Sequence, residues 1–345
     1  MSLIKIPGLI DVHVHLREPG ATQKEDFYTG SKSAVKGGFT FIIDMPNNPT
    51  PTLTLDRLNE KIELSKKAVC GIGFHFGTDG NNLEEFSKVW DNDRVFGLKV
   101  YCNHTTGNML IEDEDKLDKI FSAWNSEKPI LVHAEGKQLI LALRLANKYG
   151  RRLHVCHITE KIEVDFVRIA KMSGQKVTGG VTPHHLFFNK EDTFNPKGYG
   201  IMKPPLGSKE DQEALWSGLR DGTIDLVETD HAPHTKEEKS GDNQSFGVPG
   251  LESALGLMLK AVQDKIISQE DVIKFMYENP KKIFNIKEQP DTYVEIDTEK
   301  EYIFGVDGYE SKCGWSPFEG MTLFGKVENV VFNGEKLIEN GTILK

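Results

Sequence analysis

The sequence predicts an α/β protein, specifically a (β/α)8 TIM-type barrel with a small β-subdomain built mainly from the C-terminal tail. Eight short apolar runs recur along the chain, and amphipathic, helix-like stretches separate them. Strands that are apolar on both faces and alternate with helices are typical of a parallel sheet covered by helices. Eight such units are the number that closes a barrel. A doubly wound open sheet is the structural alternative.

The predicted elements alternate through the first two thirds of the chain. The strands are residues 9–16, 39–45, 69–76, 95–101, 129–133, 153–157, 176–182 and 224–229. The helices between them are residues 24–36, 54–67, 83–90, 113–124, 136–148, 160–171 and 209–219. Short apolar runs mark the strands, and apolar positions at helical spacing mark the helices.

The region after the eighth strand has a different pattern. A polar, glycine-containing loop (231–249) and two helices (251–263 and 269–277) precede a tail of short apolar runs and turns. The tail runs at 292–296, 325–332 and 335–338 predict a small sheet beside the barrel. With Pro290 as a boundary marker, we expect a hydrolase barrel over 7–288 and a side domain of residues 1–6 plus 289–345.

The composition limits the function classes. The 345 residues carry a formal net charge of −10, which argues against nucleic acid or an anionic membrane as a partner. An apolar run long enough to span a membrane and a secretory signal pattern are both missing from the sequence. Four scattered cysteines without CxxC spacing indicate a reducing, cytoplasmic setting. An anionic substrate would need a local cluster of positive groups.

His13 and His15 are the first candidate functional residues. They lie two apart at the end of the first predicted strand, so their side chains face the same way. Two neutral imidazoles that converge in this way suit a divalent metal such as zinc. By themselves they could equally be core or surface histidines.

Polar or ionisable residues also end the later strands, where a barrel places its active site. They are Asn47, Lys99, His133, His157 and Asp230. Four histidines and Asp230 provide more protein ligands than one open zinc site takes. This suggests two metals about 3.5–4 Å apart. An ammonium cannot ligate a metal, so Lys99 by itself indicates a buried lysine paired with an acid or directed outward.

Several motifs together resemble dihydroorotase, a member of the amidohydrolase superfamily. They are PGLIDVHVHLREPG (7–20), MPN (45–47), GLKVY (97–101), VHAE (132–135), PHHL (183–186), TDHAPHT (229–235), DTYVEID (291–297) and WSPFEG (315–320). The likeness covers nearly the whole chain and is closest to the long dihydroorotases and to the dihydroorotase domain of the animal trifunctional pyrimidine-synthesis polypeptide. HVHLREPG followed by TDHAPHT is far more specific than the histidine pair.

The resemblance implies a two-zinc centre. Lys99 would be carboxylated to N6-carboxylysine, and its carbamate and a hydroxide would bridge two Zn²⁺ ions per subunit. His13, His15 and Asp230 would hold one ion, and His133 and His157 the other. The bridging hydroxide would attack the ring amide, and Asp230 would act as general base and then general acid. A capping or structural acid is the competing interpretation of Asp230.

The resemblance also implies a grip on the carboxylate of dihydroorotate. Arg17 offers a planar fork for a carboxylate, although an isolated arginine is more often a surface residue. The other implied substrate contacts are Asn47, His234, Thr105, Thr106, Phe246 and Gly247. Thr105 and Thr106 belong to the polar loop 103–109, which is either a mobile lid or an ordinary βα loop.

Three features depart from the animal pattern. Lys203 stands where those relatives have an arginine, which leaves its substrate contact in doubt. A third zinc would use a cysteine, a histidine and a glutamate; Cys156 and His185 are present, but the acid position holds Gly180, so this site is doubtful and His184 and His185 are expected to stabilise the barrel mouth. The chain also enters its first barrel strand almost at once, so the side sheet must come mainly from the tail.

The expected activity is therefore the reversible, zinc-dependent cyclisation of N-carbamoyl-L-aspartate to L-dihydroorotate in pyrimidine synthesis. A hydantoinase or allantoinase is the nearest rival, because these enzymes share the metal ligands. A catalytically silent structural partner of aspartate transcarbamoylase is the alternative from another class. For partners, we expect a small-molecule substrate, a homodimer and an association with aspartate transcarbamoylase.

Overall fold

Eight parallel strands follow one another in chain order around a nearly closed barrel, which confirms the predicted fold class. The computed structural model describes residues 3–105, 107–242 and 244–344. A parallel bridge between Val14 and His231 links the segment after the last barrel strand to the first. The His15 amide donates to the His231 carbonyl oxygen at 2.8 Å beside this bridge. The carboxyl ends of all eight strands therefore meet at one mouth.

We number the strands and helices in chain order. The strands are β1 Ile4–Pro7, β2 Leu9–Val14, β3 Phe39–Asp44, β4 Gly71–Gly77, β5 Val95–Tyr101, β6 Ile130–His133, β7 Leu153–Val155, β8 Val177–Val181, β9 Leu226–Val227, β10 Tyr293–Ile303, β11 Thr322–Phe332, β12 Glu335–Glu339 and β13 Thr342–Ile343. The α-helices are α1 Phe27–Lys36, α2 Leu55–Leu64, α3 Phe86–Val89, α4 Glu114–Ala123, α5 Gly136–Tyr149, α6 Lys161–Met172, α7 Pro183–Phe187, α8 Lys209–Asp221, α9 Lys236–Ser240, α10 Leu251–Gln263, α11 Gln269–Ile273 and α12 Asn279–Ile283. Short 3-10 turns occur at Ser65–Lys67, Leu83–Glu85 and Lys197–Gly200, and a π-helical turn at Lys274–Glu278 joins α11 to α12. Among the described residues no helix has the length and apolar character needed to cross a membrane.

Local sequence accounts for where the helices begin and end. Asp26 precedes α1, and its carboxylate accepts the backbone N–H groups of Tyr28 and Thr29. Ser208 caps α8 in the same way, in a reciprocal box with Asp211. Such caps satisfy N–H groups that have no partner inside the helix. Helix α5 ends at Gly150, whose left-handed φ of 63° a glycine adopts without steric cost.

The second sheet is antiparallel, with the strand order β1-β10-β11-β12-β13. Four of its five strands come from the tail, and β1 completes it through the pairing of Ile4 with Ile296. Gly8 lies at the junction of β1 and β2. A Cβ there would approach the Thr40 hydroxyl to 2.2 Å, so the chain can pass from one sheet to the other only with a glycine.

Most of the eight barrel strands are shorter than predicted, and β7 and β9 end before a predicted site residue. The prediction extended β7 to residue 157 and β9 over 224–229, but the structure ends them at Val155 and Val227. His157 has a φ of 37° and Asp230 a φ of 46°, which are left-handed values that a strand cannot contain. The left-handed backbone ends the strand geometry before these two residues and so sets the direction of their side chains at the barrel mouth. The predicted helix 83–90 is likewise split into a 3-10 turn and α3.

The inside of the barrel is filled by apolar side chains, so it is a packed core and not a pore. Its interior cluster includes Ile10, Val12, Ile43, Leu131, Leu226 and Phe284. A larger cluster lies between the strands and the outer helices. Filling the interior in this way leaves the mouth as the place where polar groups gather.

Candidate metal centre

His13 and His15 lie together at the mouth, with ring centroids 5.4 Å apart. Asp11 holds this strand in register with the eighth strand, because it accepts hydrogen bonds from the His13 amide and from the Thr229 amide and hydroxyl. Asp11 is fully buried, and burial raises its pKa to about 7. The spacing of the two histidines therefore depends on an acid that our sequence reading did not single out.

Asp230 faces both of these imidazoles. Its Oδ1 lies 2.9 Å from His15 Nε2 and 3.3 Å from His13 Nε2. Burial alone would raise the pKa of Asp230, but the imidazoles of His13 and His15 hold it well below its ordinary value. The carboxylate is thus ionised at neutral pH. His13, His15 and Asp230 offer ligand atoms that all lie within 4.8 Å of one another.

His133 and His157 form a second pair beside the first. His133 Nδ1 lies 3.0 Å from His157 Nε2, and the His157 ring centroid is 5.2 Å from that of His13. Burial, together with the Lys99 ammonium, lowers the pKa of His133 to about 3 and holds that of His13 well below its usual value. Neutral imidazole is the form that binds a metal.

Lys99 lies among these histidines at the end of β5 and is fully buried. Its Nζ donates to Cys156 Sγ at 3.1 Å and lies 5.1 Å from the centre of the Tyr101 ring. Within the described ranges, Lys99 has no carboxylate at ion-pair distance, and its head group does not reach the solvent. A buried amine without an acidic partner is unusual, since burying an unpaired charge is costly.

The donor set fits a metal site. The ring nitrogens that converge are His13 Nε2 and His15 Nε2, which face Asp230 Oδ1. Beside them, His133 Nδ1 faces His157 Nε2. Imidazole nitrogens and a carboxylate oxygen that converge in a buried mouth are the donors that zinc takes. The geometry can therefore hold metal at the positions that the sequence indicates.

Arg17 lies beside this cluster and is nearly buried. Its Nε donates to the Pro233 carbonyl oxygen at 3.0 Å, and its Nη2 lies 3.1 Å from His234 Nε2. His234 Nε2 is also 2.8 Å from the Phe246 carbonyl oxygen, which can only accept. Nε2 therefore carries the ring proton, and it cannot accept from Arg17. Among the described residues, Arg17 has no carboxylate at ion-pair distance.

Asn47 contacts a metal ligand. Its Oδ1 lies 2.7 Å from His15 Nδ1, the nitrogen on the far side of the ring from Asp230. Asn47 and Arg17 line a cavity of about 280 Å³, and Gly107, Asn108 and Met109 of the loop 103–109 line it as well. Thr105 of that loop is half-buried. Thr106 of the same loop lies outside the described residues. On another loop, Gly247 follows Phe246 and has a left-handed φ of 124°.

Lys203, His185 and Cys156, whose roles the sequence did not decide, lie in different parts of the site. Lys203 lies at the mouth, with its Nζ 5.3 Å from the Phe246 ring centre. His185 is bonded to the Thr182 hydroxyl and to the Pro204 carbonyl oxygen, so it connects α7 to the following loop. Cys156 is near Lys99, and it forms a group with His13 and Glu228 whose ligand atoms lie within 4.8 Å.

Glu228 is a buried acid in contact with site residues that the sequence prediction did not include. It is fully buried between β9 and Asp230, and its Oε1 accepts the His157 amide at 2.6 Å. The available signal was an acid near the end of a predicted strand, two residues before Asp230. Trp315 was also missed as a site residue, although the WSPFEG motif contains it. Its indole N–H donates to the His234 carbonyl oxygen at 2.8 Å, so the tail supports the mouth.

Comparison with known proteins gives a consistent family relationship. Residues 4–289 match the model of the amidohydrolase family. The chain is 41% identical to the multifunctional protein CAD of Squalus acanthias over 99% of its own length, but it spans 15% of that protein. It is 34% identical to the dihydroorotase of Lactobacillus delbrueckii subsp. bulgaricus, over 97% of this chain and 88% of that protein.

Among solved structures, the fold is similar to an L-hydantoinase (dihydropyrimidinase) from Arthrobacter aurescens. The TM-score is 0.94 at 26% identity, with 99% of this chain and 87% of that chain covered. The shared barrel and side sheet therefore occur in proteins named for more than one cyclic amide substrate. The choice among substrates has to come from the side chains around the mouth.

Proposed function

This chain belongs to the amidohydrolase family, and on that premise we propose that it is a dihydroorotase. It would interconvert N-carbamoyl-L-aspartate and L-dihydroorotate in pyrimidine synthesis. The observation that carries the proposal is the arrangement at the mouth: two pairs of histidines and Asp230 surround Lys99, with Arg17 beside them. The full-length likeness to a protein named dihydroorotase supports it.

We propose that two zinc ions occupy this centre. His13, His15 and Asp230 would hold one, His133 and His157 the other, and a carboxylated Lys99 would bridge them. When bound, the zinc ions would polarise the amide carbonyl and lower the pKa of water to about 7. Carboxylation of the Lys99 ammonium by CO2 would release two protons, and it would convert an unpaired buried cation into an anionic ligand.

Asp230 would move the proton in the reaction. Its ionised carboxylate can accept the proton of the attacking water. It then gives that proton to the ring nitrogen as the carbon–nitrogen bond breaks. In the cyclisation direction, the same carboxylate takes a proton from the carbamoyl nitrogen as that nitrogen attacks the side-chain carboxyl carbon, and it gives the proton to the carboxyl oxygen that leaves as water when the carbon–oxygen bond breaks. His13 Nε2 and His15 Nε2 both face its Oδ1, so Asp230 would lie between these metal ligands and the substrate.

The substrate carboxylate would bind at Arg17. The guanidinium has no carboxylate at ion-pair distance in the described part of the chain. Its charge can therefore pair with an anionic group of a substrate bound at the mouth. His234, Phe246 and Gly247 would form the wall of the substrate cavity next to Arg17. Asn47 would contact the substrate on the same side, and it also orients the ring of His15. The loop with Thr105 and Thr106 would close over the bound ring.

A hydantoinase activity is the second candidate, and the likeness to the Arthrobacter aurescens structure favours it. Hydantoin carries no carboxylate, however, and would leave Arg17 buried and unpaired, at a cost. A catalytically silent partner of aspartate transcarbamoylase is the third candidate. Such a protein has no need of metal ligands, whereas the mouth retains the whole set.

Turnover of three substrates tests the proposal. We expect at least one zinc ion per chain and faster turnover of dihydroorotate than of hydantoin or allantoin. Asp230→Ala serves as the inactive control. Folded protein that binds less than one zinc ion per chain, or that does not turn over dihydroorotate, would contradict the proposal. Faster turnover of hydantoin than of dihydroorotate would favour the second candidate instead.

The arginine makes a separate prediction. Arg17→Lys should raise KM for dihydroorotate about 10–100-fold at unchanged zinc content, because lysine keeps the charge but loses the planar fork. Steady-state kinetics with dihydroorotate and its methyl ester measure this. The ester lacks the negative charge, so its KM should change little. An equal loss for the ester would show that Arg17 does not bind the carboxylate.

The wider assembly also belongs to the proposal. We assign residues 7–288 to the hydrolase unit and residues 1–6 plus 289–345 to the side domain. We further propose a cytoplasmic homodimer that associates with aspartate transcarbamoylase. The likeness to one segment of the multifunctional protein CAD supports an assembly of this kind. Co-purification and mass measurement of the native complex test it.

A further inference from the structure

Glu228, which directly follows β9, contacts a residue of β2 and residues in and just after β7. Its Oε1 accepts the backbone N–H of His157 at 2.6 Å, and its Oε2 lies 3.3 Å from His154 Nε2. The same Oε2 is 3.5 Å from His13 Nδ1. The carboxylate has no exposed surface. A fully buried acid needs such partners, because an uncompensated charge in the interior is costly.

The His13 ring therefore lies between two carboxylates. Its Nε2 faces Asp230 Oδ1 at 3.3 Å, and its Nδ1 faces Glu228 Oε2 at 3.5 Å. The two nitrogens occupy different edges of the ring, so one can bind a metal while the other donates its proton to a carboxylate. A carboxylate behind a ligating histidine selects the tautomer, fixes the ring and raises its basicity.

Glu228 also supports the unusual backbone at His157. That residue has a left-handed φ of 37°, which costs free energy in a residue other than glycine. The hydrogen bond from its amide to Glu228 holds this conformation and with it the direction of the imidazole. One carboxylate thus contacts one histidine of each predicted zinc site.

Gly180 on the neighbouring strand β8 makes room for this acid. A Cβ at position 180 would lie 2.6 Å from both Cδ and Oε1 of Glu228, so any larger residue there would displace the carboxylate. The same closeness means that a side chain extending from position 180 would reach the space that the Glu228 carboxylate occupies. The backbone of Gly180 has no left-handed φ that would forbid it.

We propose that Glu228 is a positioning residue that fixes His13 and His157 for metal binding, and that its carboxylate can be supplied from position 180 instead. The proposal rests on the zinc centre described under the proposed function. It assigns Glu228 no contact with substrate. Its effect should therefore appear in the affinity for Zn²⁺ in the absence of substrate.

The test compares Zn²⁺ affinities of full-length variants by competition with a chromogenic chelator, with the melting temperature of the metal-free protein as the measure of folding. Glu228→Gln keeps the shape of the side chain, but a neutral amide replaces the carboxylate anion. We expect Zn²⁺ affinity to fall about 10–100-fold, the usual effect of losing such a partner. Gly180→Ala should also weaken binding, because it displaces the carboxylate.

The matched control is Glu163→Gln. Glu163 is a buried acid that accepts the Thr159 amide, and it takes no part in the metal centre. This variant should keep the Zn²⁺ affinity of the wild type even if its melting temperature falls. The decisive variant moves the acid: Gly180→Glu combined with Glu228→Ala should bring the affinity back to within about threefold of the wild type.

Three results would overturn the proposal. One is an affinity of Glu228→Gln equal to that of Glu163→Gln. The second is a folded double variant that recovers no affinity. The third is the loss of one whole equivalent of zinc with the rest bound as in the wild type, which would make Glu228 a ligand itself. If the wild type binds no zinc, the proposed function fails instead, so the two failures are distinguishable.

Discussion

Lys99→Met is expected to lose most of the bound zinc and to lower turnover of dihydroorotate by roughly 10³–10⁴-fold, the equivalent of several kcal/mol of transition-state stabilisation. Methionine fills the buried space without a charge, so the barrel should fold. It cannot react with CO2, so the two zinc ions would have no bridging anion. Metal analysis and steady-state kinetics on one preparation measure both effects.

The same prediction can be checked through CO2. Wild-type protein loaded with zinc in CO2-free buffer should bind less metal than protein loaded with bicarbonate present. Native mass spectrometry should show the added mass of one CO2 per chain. Lys99→Met is the control and should be indifferent to bicarbonate. Full zinc content and wild-type turnover in Lys99→Met would refute the bridging role.

Asp230→Asn is expected to lower kcat by about 10²–10⁴-fold with little change in KM, which is the usual contribution of a general acid–base group. Asparagine keeps the shape and one oxygen opposite His15 Nε2, but it cannot accept a proton. Rates in both directions should fall together, because the same group acts in each. Zinc content is measured in parallel to separate proton transfer from metal loss.

Asp225→Asn is the matched control for this variant. Asp225 precedes β9 and forms an ion pair with Lys171 at 2.6 Å, away from the mouth. Its replacement should leave kcat unchanged. If Asp230→Asn retained zinc and more than a tenth of the wild-type kcat, Asp230 would not be the proton carrier.

The sequence was sufficient for the barrel because the signals for it are local. Apolar runs of strand length, helices between them and polar residues after them can all be read within a few positions. The lengths of β7 and β9 could not be read in this way. Their ends depend on left-handed backbone at His157 and Asp230, and no propensity of histidine or aspartate requires that conformation.

The partners of individual site residues were equally out of reach. Asn47 was expected at the substrate, and the structure places its Oδ1 against His15, 32 positions earlier in the chain. His185 was considered for a third zinc, yet it is bonded to Thr182 and Pro204. Glu228 was read as part of an apolar strand. Each contact joins side chains whose distance is set by packing between strands, not by spacing along one strand.

What the sequence determined by itself is the barrel, the side sheet from the tail and many of the residues at the mouth. These follow from strand periodicity and from the rule that parallel strands end on one side. What only the tertiary structure decided is which of those residues face one another. The ring of His13 meets Asp230 and Glu228, more than 200 positions away, because β2 and β9 are brought together by barrel closure. Metal affinity depends on such pairings at ångström precision, and a linear pattern carries no information about them.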